Sequence, residues 1–167
     1  LKQSLILRVG FKYTFEVLKR GVVIDLFDIT NLMPTQGLNH MLSTVFKSGT
    51  PVATWYLGLY EGNYTPVLTD TAATFPGSAT ECTAYTASTR VAWVPGTVAA
   101  GVLDNSASKA EFVANATKTI YGGFMTSVAA KGAITGSLIS AVRFPSPRVL
   151  DADSTLRVTA GITLTSA

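Results

Sequence analysis

Apolar positions along this chain follow two rhythms. Leu38, Met41, Leu42, Val45 and Phe46 recur at i, i+3, i+4, i+7 and i+8, which lays them on one stripe of a helix. Pro34 and Thr35 supply an entry signal, Lys47 suits the last turn, and Gly49 is a stop. The pattern therefore predicts a helix near residues 35–47 with that stripe turned to a core, and His40 pointing away from it. Directly afterwards Trp55–Tyr60 reads WYLGLY, apolar on both faces, as expected of a central strand beneath a docked helix. Gly58 leaves a gap in one face that a close neighbour can fill.

Elsewhere the rhythm is short and β-like. Residues 1–30 read as extended, with a β-prone run at 5–9 and, after Gly21, the segment VVIDLFDI interrupted by Asp25 and Asp28. Further runs lie at 85–94, 98–103, 110–114, 117–128, 137–144 and 155–165. Pro95-Gly96, Asp104-Asn105, Lys131-Gly132 and Pro145–Pro147 read as turns between them. Gly122-Gly123 splits one run as a bulge or a close approach. Residues 62–84 form a long irregular connection broken by Pro66, Pro76 and Gly77; such loops are functional or packed against something. About eight strands with a single convincing helix predict a mainly β fold, an antiparallel β-sandwich, jelly-roll-like.

Composition sharpens this picture at one point. The 167 residues suit one domain, and only 14% are charged while 47% are apolar. Such a surface lends itself to cover by partner chains. The charge it has is unevenly placed. Residues 1–20 hold five basic groups against Glu16 alone, a net +4, whereas the other 147 hold eight basic and nine acidic groups. This segregation predicts an extended basic N-terminal arm over residues 1–20 and a sandwich domain over 21–167. The arm's contact residues would be Lys2, Arg8, Phe11, Lys12, Tyr13, Lys19 and Arg20. It either reaches an acidic surface, of nucleic acid or of a neighbouring protein, or is an ordinary solvated segment. The N-terminus does not read as a signal peptide, and no run approaches the ~18 apolar residues of a membrane span.

Candidate chemistry is sparse. His40 is the single histidine and has no second ligand of its kind. The single cysteine, Cys82, excludes an intrachain disulfide and reads as an incidental small residue. Asp70, Glu81, Asp104, Asp151 and Asp153 are scattered over loops without metal or glycosidase spacing. Gly122-Gly123 lacks any phosphate-binding frame. Tyr60, Tyr64 and Phe75 could stack on sugars or bases, but packing accounts for them equally well. Catalytic, metal and cofactor residues are therefore expected to be none.

Taken together, NLMPTQGLNHMLSTVF, WYLGLYEG, TDTAAT and AYTASTRVAW resemble a tailed-bacteriophage virion protein. They are similar to the small β-sandwich decoration (cement) proteins of phage heads, over roughly residues 20–165. The resemblance implies a non-enzymatic jelly-roll protein of the capsid surface, made in the bacterial host cytoplasm. It implies a homotrimer that bridges neighbouring major capsid subunits through its body and extended arms, with no small-molecule substrate, membrane or nucleic acid. A phage tail, baseplate or adaptor component is the alternative on the same fold. A carbohydrate-binding module or adhesin is the alternative from another class, since sandwiches host all of these.

Overall fold

The computed structural model describes residues 9–164. Its strands are β1 (Phe11–Lys19), β2 (Val22–Thr30), β3 (Trp55–Tyr60), β4 (Glu81–Cys82) and β5 (Val91–Trp93). They continue with β6 (Val102–Asp104), β7 (Ala110–Val113), β8 (Lys118–Thr126), β9 (Leu138–Leu150) and β10 (Thr155–Thr163). Two helices interrupt them, α1 (Thr35–Phe46) after β2 and the single turn α2 (Phe75–Ser78) after β3. One antiparallel sheet runs β2-β1-β10-β6, with β7 also beside β10. The other runs β4-β3-β8-β9, with β5 also beside β3. The fold is a two-sheet antiparallel β-sandwich.

The core between the sheets takes alternate residues from each strand, as a period of two requires. Tyr13, Phe15 and Val17 of β1, Leu156 and Val158 of β10, Leu57 and Leu59 of β3, and Phe144 of β9 are all buried there. A second apolar cluster lies on the outer face of the β3–β8 sheet, where Tyr60, Phe75, Ala79 and Phe124 meet. The long connection 62–80 is therefore packed, and it covers that face. This is why WYLGLY is apolar on both sides. Phe124 fills the gap left by Gly58: a methyl group there would sit 2.4 Å from its ring. Gly122 makes the same room for Tyr60, whose hydroxyl donates to the Val142 carbonyl across the neighbouring strand at 3.2 Å.

Several expectations are corrected by the structure. Residues 11–19 are not an arm but β1, paired with β2 on one side and β10 on the other. Phe11, Tyr13, Phe15 and Val17 fill the core while Lys12, Thr14 and Glu16 face outward, so the charged residues of this segment lie on its solvent side. Arg20 and Gly21 form the β1–β2 hairpin turn, both at positive φ (51° and 78°), so no domain boundary falls at residue 20. Of the expected strand 85–94 only Val91–Trp93 forms a strand, while Tyr85 makes an isolated bridge to Ala114 and residues 86–89 bend away. Of 98–103 only the end survives, because Ala100 and Gly101 make a left-handed turn. Pro145 and Pro147 do not end β9. That strand lies at a sheet edge, where proline is tolerated, and a register shift opposite Ile120/Gly122 absorbs the extra residues.

Candidate interaction surface

The helix decides which apolar groups reach the surface. Gly37 is its one buried residue, and a methyl group there would lie 2.8 Å from the Cα and carbonyl oxygen of Ile139. Backbone contact at Gly37 brings α1 down on β9 and sets its rotation. The Gln36 side-chain oxygen secures the docking by accepting from the Ala72 and Leu138 amides at 2.9 and 2.8 Å. With Gly37 inward, His40, Met41 and Thr44 follow on the same face at i+3, i+4 and i+7. His40 stacks edge-on against Trp55 at 5.4 Å between centroids.

The expected stripe is thereby split. Leu38 and Met41 pack against the core. Leu42, Val45 and Phe46 are 58, 68 and 77% exposed, so they form the outer face of the helix. The expected burial of Leu42 is corrected, while His40 is half-buried, its ring against Trp55. Glycine has the smallest side chain in the segment, and hydrophobic periodicity gives it no weight, yet it sets the docking.

Beside this outer face lies a solvent-open cleft of about 240 Å³ between α1 and the end of the sandwich. Met41 and Val45 form its helical wall, and Phe11, Trp55, Trp93 and Leu103 its floor and far side. Trp55 and Trp93 are cross-strand partners of β3 and β5. Trp93 is fixed by donating its indole N–H to the Ala160 carbonyl at 2.9 Å and by an edge-on contact with Phe11. His40 is the one titratable side chain on the lining. A second apolar surface is the β1–β2 hairpin, where Val22, Val23, Ile24 and Leu26 of the sheet-edge strand β2 are exposed. The outward face of β1 and β10 is quite different. Lys12–Asp28, Lys109–Glu16 and Arg157–Glu111 pair across strands at 2.6–2.9 Å, a solvated face whose pairs contribute only about 0–1 kcal/mol each.

The contact residues expected of an arm are not brought together. Lys2 and Arg8 lie outside the described residues. Phe11 and Tyr13 are buried in the core. Lys12 is paired with Asp28 and Lys19 with Asp151, and Arg20 stands at the hairpin turn.

The remaining candidates have structural duties. Cys82 is buried, which pushes its thiol above the ordinary value. Asp70 accepts from the Tyr64 hydroxyl (2.7 Å) and the Val67 amide (2.8 Å) and closes the loop over the second cluster. Asp104 accepts from Ser106 at 2.6 and 2.8 Å, which holds its carboxyl below the usual range. Tyr60 and Phe75 are fully buried, so neither is a stacking platform for sugars. Glu81 forms a bidentate pair with Arg90 (2.7 and 2.8 Å), both side chains no more than 3% exposed. That pair was hidden from sequence reasoning by its nine-residue separation, although an arginine bordering the apolar VAW run was a signal.

Comparison with known protein families and with curated proteins finds no match for this chain.

Proposed function

We propose that this chain is a non-enzymatic structural protein of a bacteriophage virion. In this reading it decorates and stabilises the capsid by bridging neighbouring major capsid subunits, with its own copies assembled as a homotrimer. One observation carries the reading: α1 spends an apolar face on the outside. Leu42, Val45 and Phe46 contribute little to the core of their own chain, and apolar patches beyond scattered single residues mark interaction sites. The hairpin strip of Val22, Ile24 and Leu26 offers a second such surface, so one chain can hold a sister copy and a shell protein at once. Many weak contacts multiplied by symmetry suit a shell under internal pressure. The motif resemblance supports a phage particle as the setting, and the exposed faces support attachment through apolar contacts.

The test is attachment. Purified chain mixed with phage heads lacking it should co-sediment with them at a saturating stoichiometry, and Leu26→Asp in the hairpin strip should weaken that binding. Heads that bind none of it, while tails or glycans do, would overturn the reading.

A further inference from the structure

We infer that the cleft between α1 and the two tryptophans receives the Phe46 side chain of a second copy of this chain. Among the described residues Phe46 is the most exposed large apolar side chain, and it projects from the last turn of the helix that walls the cleft. Its neighbour Val45 lines the cleft, while Phe46 itself, 77% exposed, does not occupy its own. Size is compatible. Apolar cavities of roughly 150 Å³ take up benzene, and this one offers about 240 Å³. Chemistry is compatible too, since the walls are aliphatic and aromatic and an entering phenyl group meets edges and faces of Trp55 and Trp93.

Charge points to a second copy as the occupant. Residues 35–46 contain no Asp, Glu, Lys or Arg, so two such helices can face each other without like-charge repulsion. An acidic or basic partner would find no complementary charge there. Knob and cleft lie side by side on each copy. Every copy can therefore both give and receive the contact, and a closed ring satisfies them all. This deepens the reading of α1 as an assembly surface and rests on it, whereas attachment to heads is measured separately and can succeed or fail without it.

The experiment uses the full chain, its mass by sedimentation equilibrium, and its fluorescence. Trp55 and Trp93 are the only tryptophans; Trp93 is already buried in the core, so a shift in emission on filling the cleft reports through the half-buried Trp55. The expected result is an oligomer whose formation with rising concentration shifts emission to the blue. Phe46→Asp should weaken association by at least about 30-fold, the loss typical of an interface hot spot, with the far-UV spectrum unchanged. Phe46→Ala gives the same test at a lesser loss should the aspartate variant misfold. A monomer whose emission is constant at all concentrations would leave the cleft to a foreign chain and overturn the inference. So would a monomer with blue emission that turns red when residues 1–8 are removed, which would assign the cleft to the chain's own N-terminal segment. Association unchanged in both Phe46 variants would overturn it as well.

Discussion

Replacing Arg90 by methionine tests how the loop side of the sandwich is held. The guanidinium donates twice to Glu81, and also to the carbonyls of Val128 (3.0 Å) and Ala133 (3.1 Å). Glu81 in turn accepts from the Gly132 amide at 2.9 Å. One ion pair thus ties β4 to the 127–136 connection, with the guanidinium 5.2 Å above the Phe124 ring. Methionine fills much of the same space but leaves Glu81 buried and unpaired, which costs about 3–5 kcal/mol. Two orphaned carbonyls add to that without being additive. Against a total stability of about 5–15 kcal/mol the loss is severe. At about 2–4 °C per kcal/mol for a chain of this size, melting should fall by roughly 6–20 °C. Thermal and urea unfolding followed by circular dichroism would measure it. Arg90→Met combined with Glu81→Leu should recover most of the loss, because a well-packed apolar replacement of a buried pair is often neutral. A cost below about 1 kcal/mol for Arg90→Met alone, as for a surface pair, would refute the reasoning.

The docking of α1 predicts that truncating half-buried Met41 to alanine destabilises by about 1 kcal/mol, while Leu42→Ala stays within about 0.5 kcal/mol; urea unfolding of the two variants decides it. Gly58→Val should be strongly destabilising in the same assay, because its side chain would enter the Phe124 ring. Burial raises the phenols of Tyr13, Tyr60 and Tyr85 above their ordinary value. The folded state then holds protons that the unfolded chain releases above about pH 10. Stability should be unaffected by these groups below that pH and fall as pH rises through it, with Tyr13, Tyr60 and Tyr85 ionising as the chain unfolds, followed by tyrosinate absorbance. Lys12 and Thr14 hold the Asp28 carboxyl below its usual range. Its small contribution is present above about pH 4 and lost as pH falls below it, so Asp28→Asn should slightly flatten the acid limb of the stability profile.

The sandwich was legible because alternation and turn chemistry are local. WYLGLY, the Gly58 gap and the Gly122-Gly123 irregularity all met the partners their patterns implied. The first twenty residues were misjudged although their own alternation was present: Phe11, Tyr13, Phe15 and Val17 are spaced by two. Clustered charge masks that period, yet within Phe11–Lys19 the charged residues stand on the solvent side of an internal strand, where Lys12 pairs with Asp28, Lys19 with Asp151 and Glu16 with Lys109. The helix existed where periodicity placed it, but its rotation is a long-range property. It depends on Gly37 meeting the backbone of Ile139, about a hundred residues away, and no local signal encodes that contact. The cleft has the same origin, being assembled from six strands, the helix and a loop. Its two tryptophans, 38 positions apart, become neighbours only through pairing of β3 with β5.

The most direct measurement is an image of the particle that carries this chain, with the chain identified by a bound Fab. Density is expected on the outer surface of the head, over junctions between major capsid subunits, in clusters whose copies meet through α1. Density confined to the tail or baseplate, or copies on the head standing apart with α1 turned to solvent, would contradict it.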